Sequence, residues 1–206
     1  RGGARGPSWL WALYFRASGD AGRIKAGSYE ITAQETPAAV LGKLVRGEQA
    51  LRAITFVEGW TFRQIREALY KSEHLRKDSQ PLTPQKIMET IGRGGQAAEG
   101  RFFPDTYRYG KGTSDLEVLR QAALAMDRQL EAAWVQRAPD LPLRDPAEAL
   151  ILASSVEKET GRAQDRAEIA GVFVNRLRIG MPLQTDPTVI YGLGDAFDGN
   201  LRRRDL

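Results

Sequence analysis

Four times this chain places a hydroxyl or carboxylate residue directly before a proline: Thr36-Pro37, Thr83-Pro84, Asp145-Pro146 and Asp186-Pro187. Each pair reads as a helix start. The short polar side chain accepts an orphan backbone N–H, and proline, which lacks that donor, fits the first turn. Thr61-Phe62-Arg63-Gln64 and Ser114-Asp115-Leu116-Glu117 add two capping boxes. A chain of 206 residues punctuated in this way is cut into helices joined by loops, and it suffices for one ordinary domain or two small ones. Its 42% hydrophobic and 8% aromatic content supply a core, which excludes general disorder.

Between these marks the periodicity predicts the elements. Ser28-Tyr29-Glu30-Ile31-Thr32 alternates as a short strand. The helix opened by Thr36-Pro37 carries Val40, Leu41 and Leu44 on one face and closes at Gly47. A second strand over Leu51 to Val57 reads as buried on both sides. The helix after Thr61 turns Phe62, Ile65 and Leu69 inward and ends near Lys71, and a polar, hinge-like stretch from Ser72 to Gln80 then marks a domain boundary. Thr83-Pro84 launches a short helix through Met88 to Ile91. Leu116, Leu119, Ala123, Met126, Leu130 and Trp134 recur at helical spacing after Ser114. Two more helices follow, Asp145-Pro146 to Gly161 and Gln164 to Ile179, the second packing through Ile169, Phe173 and Leu177. At Asp186-Pro187 the aspartate reads as the cap of the last helix.

Composition narrows the chemistry. Lysine and arginine number 30 against 26 acids, a net charge of +4, but the two signs interleave. The run Arg202-Arg203-Arg204 reads as a solvated tail, so no nucleic-acid partner is expected. With no cysteine and one histidine, His74, the chain lacks thiolate nucleophiles and His-pair metal sites, and a Ser-His-Asp triad is disfavoured. Catalysis must use carboxylates, hydroxyls, amides or cations. The longest apolar run, Trp9 to Phe15, is far short of the ~20 residues that cross a bilayer.

Three segments concentrate reactive side chains. In the helix ending at Gly161, Ala149, Leu152, Ala153 and Val156 mark an inward stripe, with Glu157 and Glu159 flanking it. Glu159 lies in the last turn, where the helix dipole and partial burial both disfavour the anion, and the acid form is what general acid catalysis needs. The residues alone equally describe two solvated glutamates beside Lys158. Gln184, Thr185, Asp186 and Thr188 gather at one helix start, a cluster fit for sugar hydroxyls and amides or for simple capping, and Asn175 is either a ligand contact or polar surface. In Glu99 to Tyr107, aromatic rings beside Glu99 and Asp105 suit pyranose rings. They are also consistent with packing by Phe102, Phe103 and Tyr107 and a turn closed by Asp105.

Taken in order, Val57-Glu58-Gly59-Trp60-Thr61, Glu99-Gly100 through Phe103-Pro104-Asp105-Thr106-Tyr107, Glu157-Lys158-Glu159-Thr160, Val172-Phe173-Val174-Asn175-Arg176-Leu177, and Leu183-Gln184-Thr185-Asp186-Pro187-Thr188-Val189-Ile190-Tyr191-Gly192 resemble the endolytic murein transglycosylases of the MltG (YceG-like) family. The resemblance covers residues 27 to 206. It implies an α+β fold in which a small LysM-like strand-helix-strand module precedes a mainly helical, lysozyme-like transglycosylase domain. The expected divisions are a juxtamembrane remnant over 1–26, the module and connecting helix over 27–80, and a C-terminally incomplete catalytic domain over 81–206.

The second glutamate of the family's E-K-E-T motif is its acid/base and falls on Glu159. Glu99, Asp105, Tyr107, Asn175, Gln184, Asp186, Thr188 and Tyr191 carry over as substrate-binding residues. The implied reaction is cleavage of MurNAc-β-1,4-GlcNAc bonds within glycan strands to leave 1,6-anhydroMurNAc ends, a lyase reaction without metal or cofactor. The rival classes are a noncatalytic peptidoglycan-binding scaffold and a glycan hydrolase, or muramidase. The implied setting is the periplasmic face of the bacterial inner membrane, with an anchoring N-terminal helix absent from this chain. The implied partners are peptidoglycan strands and the wall-synthesis machinery, including penicillin-binding proteins.

Overall fold

The computed structural model describes residues 8–32 and 34–203; the first seven residues, Ala33 and the end of the arginine run at Arg204 lie outside them. The first helix, α1 (Ser8–Ala17), rests on α2 (Pro37–Arg46). Thr36 caps α2 by accepting the Ala39 N–H at 3.3 Å, and Gly47, at φ 76°, closes it with its N–H on the Lys43 carbonyl at 2.8 Å. Among the described residues no helix is long and apolar enough to cross a membrane.

Residues 28–32 are extended but do not form the expected strand. A strand needs a ladder, and the backbone bonds described there are the Ala50 N–H to the Ser28 carbonyl at 3.0 Å and a local turn from the Glu35 N–H to the Thr32 carbonyl at 3.2 Å. The sheet instead pairs β1 (Leu51–Thr55) with β2 (Thr106–Gly110), antiparallel, in register from Leu51 opposite Gly110 to Thr55 opposite Thr106. Nor is β1 buried on both sides. Ile54 faces the core while Leu51, Ala53 and Thr55 face solvent, because a two-stranded sheet has only one covered face.

Between the strands lie α3 (Phe62–Lys71) and α4 (Pro84–Thr90), and after them runs α5 (Asp115–Val135). The α3 capping box is complete: Thr61 accepts from the Gln64 N–H, and the Gln64 side chain accepts from the Thr61 N–H at 2.8 Å. At α5, Ser114 accepts from the Leu116 N–H at 3.3 Å instead of from position 117. Asp115 turns inward there. Fully buried, it accepts from the Ser79 N–H at 3.0 Å and the Ser79 hydroxyl at 2.6 Å. The stretch read as hinge-like is therefore packed, and the core of Ile54, Phe56, Ile65, Leu69, Ile87 and Leu119 spans both sides of residue 80.

The remaining helices are α6 (Pro146–Glu159), α7 (Arg166–Arg178) and α8 (Asp186–Leu193), with α6 packed against α5, α7 and α8. Asp145 caps α6 through the Glu148 N–H at 2.9 Å. Leu152, Val156 and Phe173 centre a second apolar cluster with Ile169, Leu177 and Leu183 packed on it.

Tyr107 in β2 lies against Phe56 with ring centroids 5.2 Å apart and donates its hydroxyl to the Phe103 carbonyl at 2.6 Å. Burial, reinforced by the Asp105 carboxylate and partly offset by Arg128, pushes its phenol up to about 12. An unfolded tyrosine ionises near 10, so between pH ~10 and ~12 the unfolded chain loses a proton that the folded chain keeps. This contribution is intact below pH ~10 and is lost as pH rises through ~12, by roughly 2–3 kcal/mol. Tyr107→Phe should flatten that alkaline loss in urea titrations while costing about 1 kcal/mol at neutral pH for the Phe103 bond. An unchanged alkaline slope would contradict the buried phenol.

Candidate functional site

The end of α6 organises the site. Its buried face is Leu152, Ser155 and Val156, whereas Ala153, expected inward, is exposed. Ser155 is tolerated inside because its hydroxyl returns to the Ile151 carbonyl at 3.2 Å, a satisfaction that apolar periodicity does not register. At ~100° per residue, Glu159 then lies about 20° from the azimuth of Leu152 and about 40° from that of Ser155. It continues the buried face one turn beyond the point where the packing stops. Its side chain is exposed, so the partial burial expected for it is not found, and one oxygen is engaged: the Thr185 hydroxyl donates to Glu159 Oε2 at 2.7 Å.

Glu157 points the other way. Half-buried, it pairs with Arg166 at the start of α7, the Arg166 Nη2 donating to Oε1 at 3.1 Å and Nε lying 3.0 Å from Oε2. The Val57-to-Trp60 turn lies against the same helix end. A Cβ on Gly59 would sit 3.6 Å from both the Glu157 Cγ and the Lys158 Nζ.

Thr185, rather than Asp186, holds the N-cap position of α8, so Asp186 and Pro187 are the first two helical residues. The Thr185 side chain makes no capping bond; its hydroxyl donates to Glu159. Thr188 donates its hydroxyl to the Thr185 carbonyl at 2.8 Å, and the Arg176 guanidinium donates to the Leu183 carbonyl. Gln184, between them, is exposed at φ 50°.

A second pair spans the two halves of the chain. The Glu99 carboxylate accepts the Phe62 N–H with both oxygens, at 3.1 and 3.2 Å, in the first turn of α3. Tyr191 on α8 is 61% exposed, yet its phenol is raised, first by desolvation and then by the negative charge of Glu99.

Glu159 is thus bonded to Thr185 at the helix start that also carries Asp186 and Thr188, and Glu99 is near enough to Tyr191 for its charge to help raise the phenol. Tyr107 is placed elsewhere, within the first core. Asp105 is turned onto the Thr106 N–H at 2.6 Å, and Asn175 is exposed on α7 with Arg178 Nη1 3.4 Å from its Oδ1. Thr185 belongs to the helix-start cluster read from sequence but was not carried over as a substrate-binding residue, and nothing in the sequence signalled its bond to Glu159. Among the described residues no three histidine, cysteine or acidic side chains gather as a metal site requires.

The family model described as YceG-like matches residues 3–206. The chain belongs to the YceG-like family. A crystal structure of a yceG-like protein from Listeria monocytogenes shares the fold at a TM-score of 0.54 and 24% identity, over 97% of this chain and 70% of that one. The endolytic murein transglycosylase of Streptococcus pneumoniae is 29% identical over 200 residues, covering 83% of this chain and 36% of its own length. That of Bacillus subtilis is 35% identical over 96 residues, 47% of this chain and 26% of the relative. This YceG-like chain therefore spans little more than a third of the length of the curated relatives it matches.

The turn against α6 is open to test. Gly59 holds φ 72°, a left-handed conformation that costs an L-residue roughly 1–2 kcal/mol. Gly59→Ala should lower the melting temperature by at least about 2–4 °C. An unchanged melting temperature would show that the turn does not hold this conformation.

Proposed function

We propose that this chain carries the catalytic centre of an endolytic peptidoglycan lytic transglycosylase. The observation that carries the reading is Glu159: a carboxyl at an exposed helix end, one oxygen engaged by Thr185 and the other without a hydrogen-bond partner among the described residues. The names of the relatives agree with it. In the proposed reaction the protonated Glu159 gives its proton to the MurNAc-β-1,4-GlcNAc oxygen as the bond to C1 breaks. The MurNAc C6 hydroxyl bonds C1 and its proton passes to Glu159, leaving a 1,6-anhydro end and a regenerated acid.

One carboxyl suffices because the nucleophile belongs to the substrate, whereas a hydrolase needs a second carboxylate. Of Glu99, Asp105 and Asp186, the carboxylates a hydrolase could use, the first two are engaged by backbone N–H groups, which supports the transglycosylase reading, and Asp186 at the start of α8 is left for the analysis of the products to exclude. Glu99, Tyr191, Gln184, Asp186, Thr188 and Asn175 are assigned here to glycan contact, Asp105 and Tyr107 to shaping the β2 segment beside it. In this proposal residues 27–80 form the LysM-like part that holds glycan weakly, packed through one core against residues 81–206, which supply β2 and carry the chemistry. The substrate places the enzyme outside the cytoplasm, on the periplasmic face of the inner membrane and beside the wall-synthesis machinery.

Glu159→Gln keeps size and helix propensity but can neither give nor take the proton, so release of anhydro-muropeptides should fall toward the upper end of the about 10²–10⁴-fold range for lost acid/base catalysis. Glu157→Gln, which loses only a partly exposed ion pair with Arg166, should retain activity and lose at most about 1 kcal/mol of stability. A Glu159→Gln protein that cleaves at the wild-type rate, or an inactive Glu157→Gln protein, would overturn the assignment.

A further inference from the structure

We infer that Thr185 is a positioning residue for Glu159, its hydroxyl fixing which carboxyl oxygen carries the transferable proton. The inference rests on Glu159 as the acid/base and assigns a role to a neighbour. Thr185 is only 3% exposed, and the partner described for its hydroxyl is Glu159 Oε2 at 2.7 Å. A hydroxyl has one proton to give. With that proton on Oε2, the acid form of Glu159 carries its own on Oε1. When Oε1 has protonated the glycosidic oxygen, the same atom is the free base for the C6 hydroxyl. Both transfers then pass through one oxygen, held in one place, and the carboxyl does not rotate between the half-steps.

Three features of the backbone point the same way. At the N-cap of α8 a threonine normally accepts an orphan N–H, and Thr185 makes no such bond. The preceding Gln184 stands at φ 50°, the one non-glycine residue with positive φ among the described residues, a strained conformation for an L-residue. Such strain persists only where the surroundings over-determine it. Here the carbonyls on either side, of Leu183 and Thr185, are held by the Arg176 guanidinium and the Thr188 hydroxyl. The bend turns the Thr185 side chain inward, and what it meets there is Glu159.

Thr185→Val keeps the shape and removes the hydroxyl; Thr185→Ser keeps the hydroxyl. With sacculi as substrate, Thr185→Val should lose about 10–100-fold in kcat with KM little changed, as expected for a catalytic group left loosely placed, and Thr185→Ser should stay within about threefold of wild type. In the Glu159→Gln background Thr185→Val should add nothing. The ¹³C resonance of the Glu159 carboxyl, assigned by its loss in Glu159→Gln, should move in Thr185→Val and hold in Thr185→Ser.

Wild-type kcat in Thr185→Val, equal losses in the two variants, or a further loss in the double variant overturns the inference. If Thr185→Val does not fold, Thr185→Ser decides it: an inactive, folded serine variant overturns it, and an active one with an unmoved carboxyl resonance upholds it. A Glu159→Gln protein of wild-type activity instead sinks the functional reading on which the inference stands, whereas an inactive Glu159→Gln beside a fully active Thr185→Val sinks this inference alone.

Discussion

The pairing of Leu51–Thr55 with Thr106–Gly110 is the constraint on which the rest of the molecule is built. It closes a chain segment of some fifty residues, and the entropy of that closure has to be recovered from what the closed loop buries. The recovery is visible in the core. Ile54 of β1, Phe56 just after it, and Tyr107 and Tyr109 of β2 lie together with Ile65, Leu69, Ile87, Met88 and Leu119. A pair of strands alone is marginal in water, so α3, α4 and α5 are what make the sheet possible. Its position in turn fixes both the Glu99 segment, just before β2, and the Gly59 turn, just after β1. Each of these meets the C-terminal helices.

On that frame the polar interactions divide into those that complete the fold and those that leave chemistry available. Asp115 and Ser79 satisfy each other inside the core, and Glu157 and Arg166 pair between α6 and α7. Glu99 supplements Thr61 at the start of α3. Glu159 differs from all of these. The helix that carries it ends as its side chain leaves the packed face, and its described partner is a hydroxyl rather than a cation.

Helix starts were the legible part of this sequence. Thr36-Pro37, Thr61 to Gln64, Thr83-Pro84 and Asp145-Pro146 each mark a helix that forms where the local chemistry places it, because a cap depends on three or four adjacent residues. Strand partners were not legible, since pairing depends on residues far apart. Thr106-Tyr107-Arg108-Tyr109-Gly110 alternates in and out clearly enough, yet sits in a segment dense with aromatics and turn formers, while Ser28 to Thr32 alternates equally well and has no ladder. At the site, the rotation of α6 was misjudged because Ser155 is buried with its hydroxyl satisfied on its own helix. The cap of α8 was misplaced by one residue. Thr185 and Asp186 both suit the position, and the bond from the threonine to Glu159 depends on a residue 26 positions away.

The central claim is that the substrate's own C6 hydroxyl, and not water, replaces the glycosidic oxygen at C1. Digestion of purified sacculi in water enriched in heavy oxygen, followed by mass spectrometry of the released muropeptides, tests it directly. The account predicts MurNAc ends that lack the elements of water and carry no heavy oxygen. Reducing MurNAc ends labelled with one heavy oxygen per cleavage would contradict it and would make the protein a hydrolase.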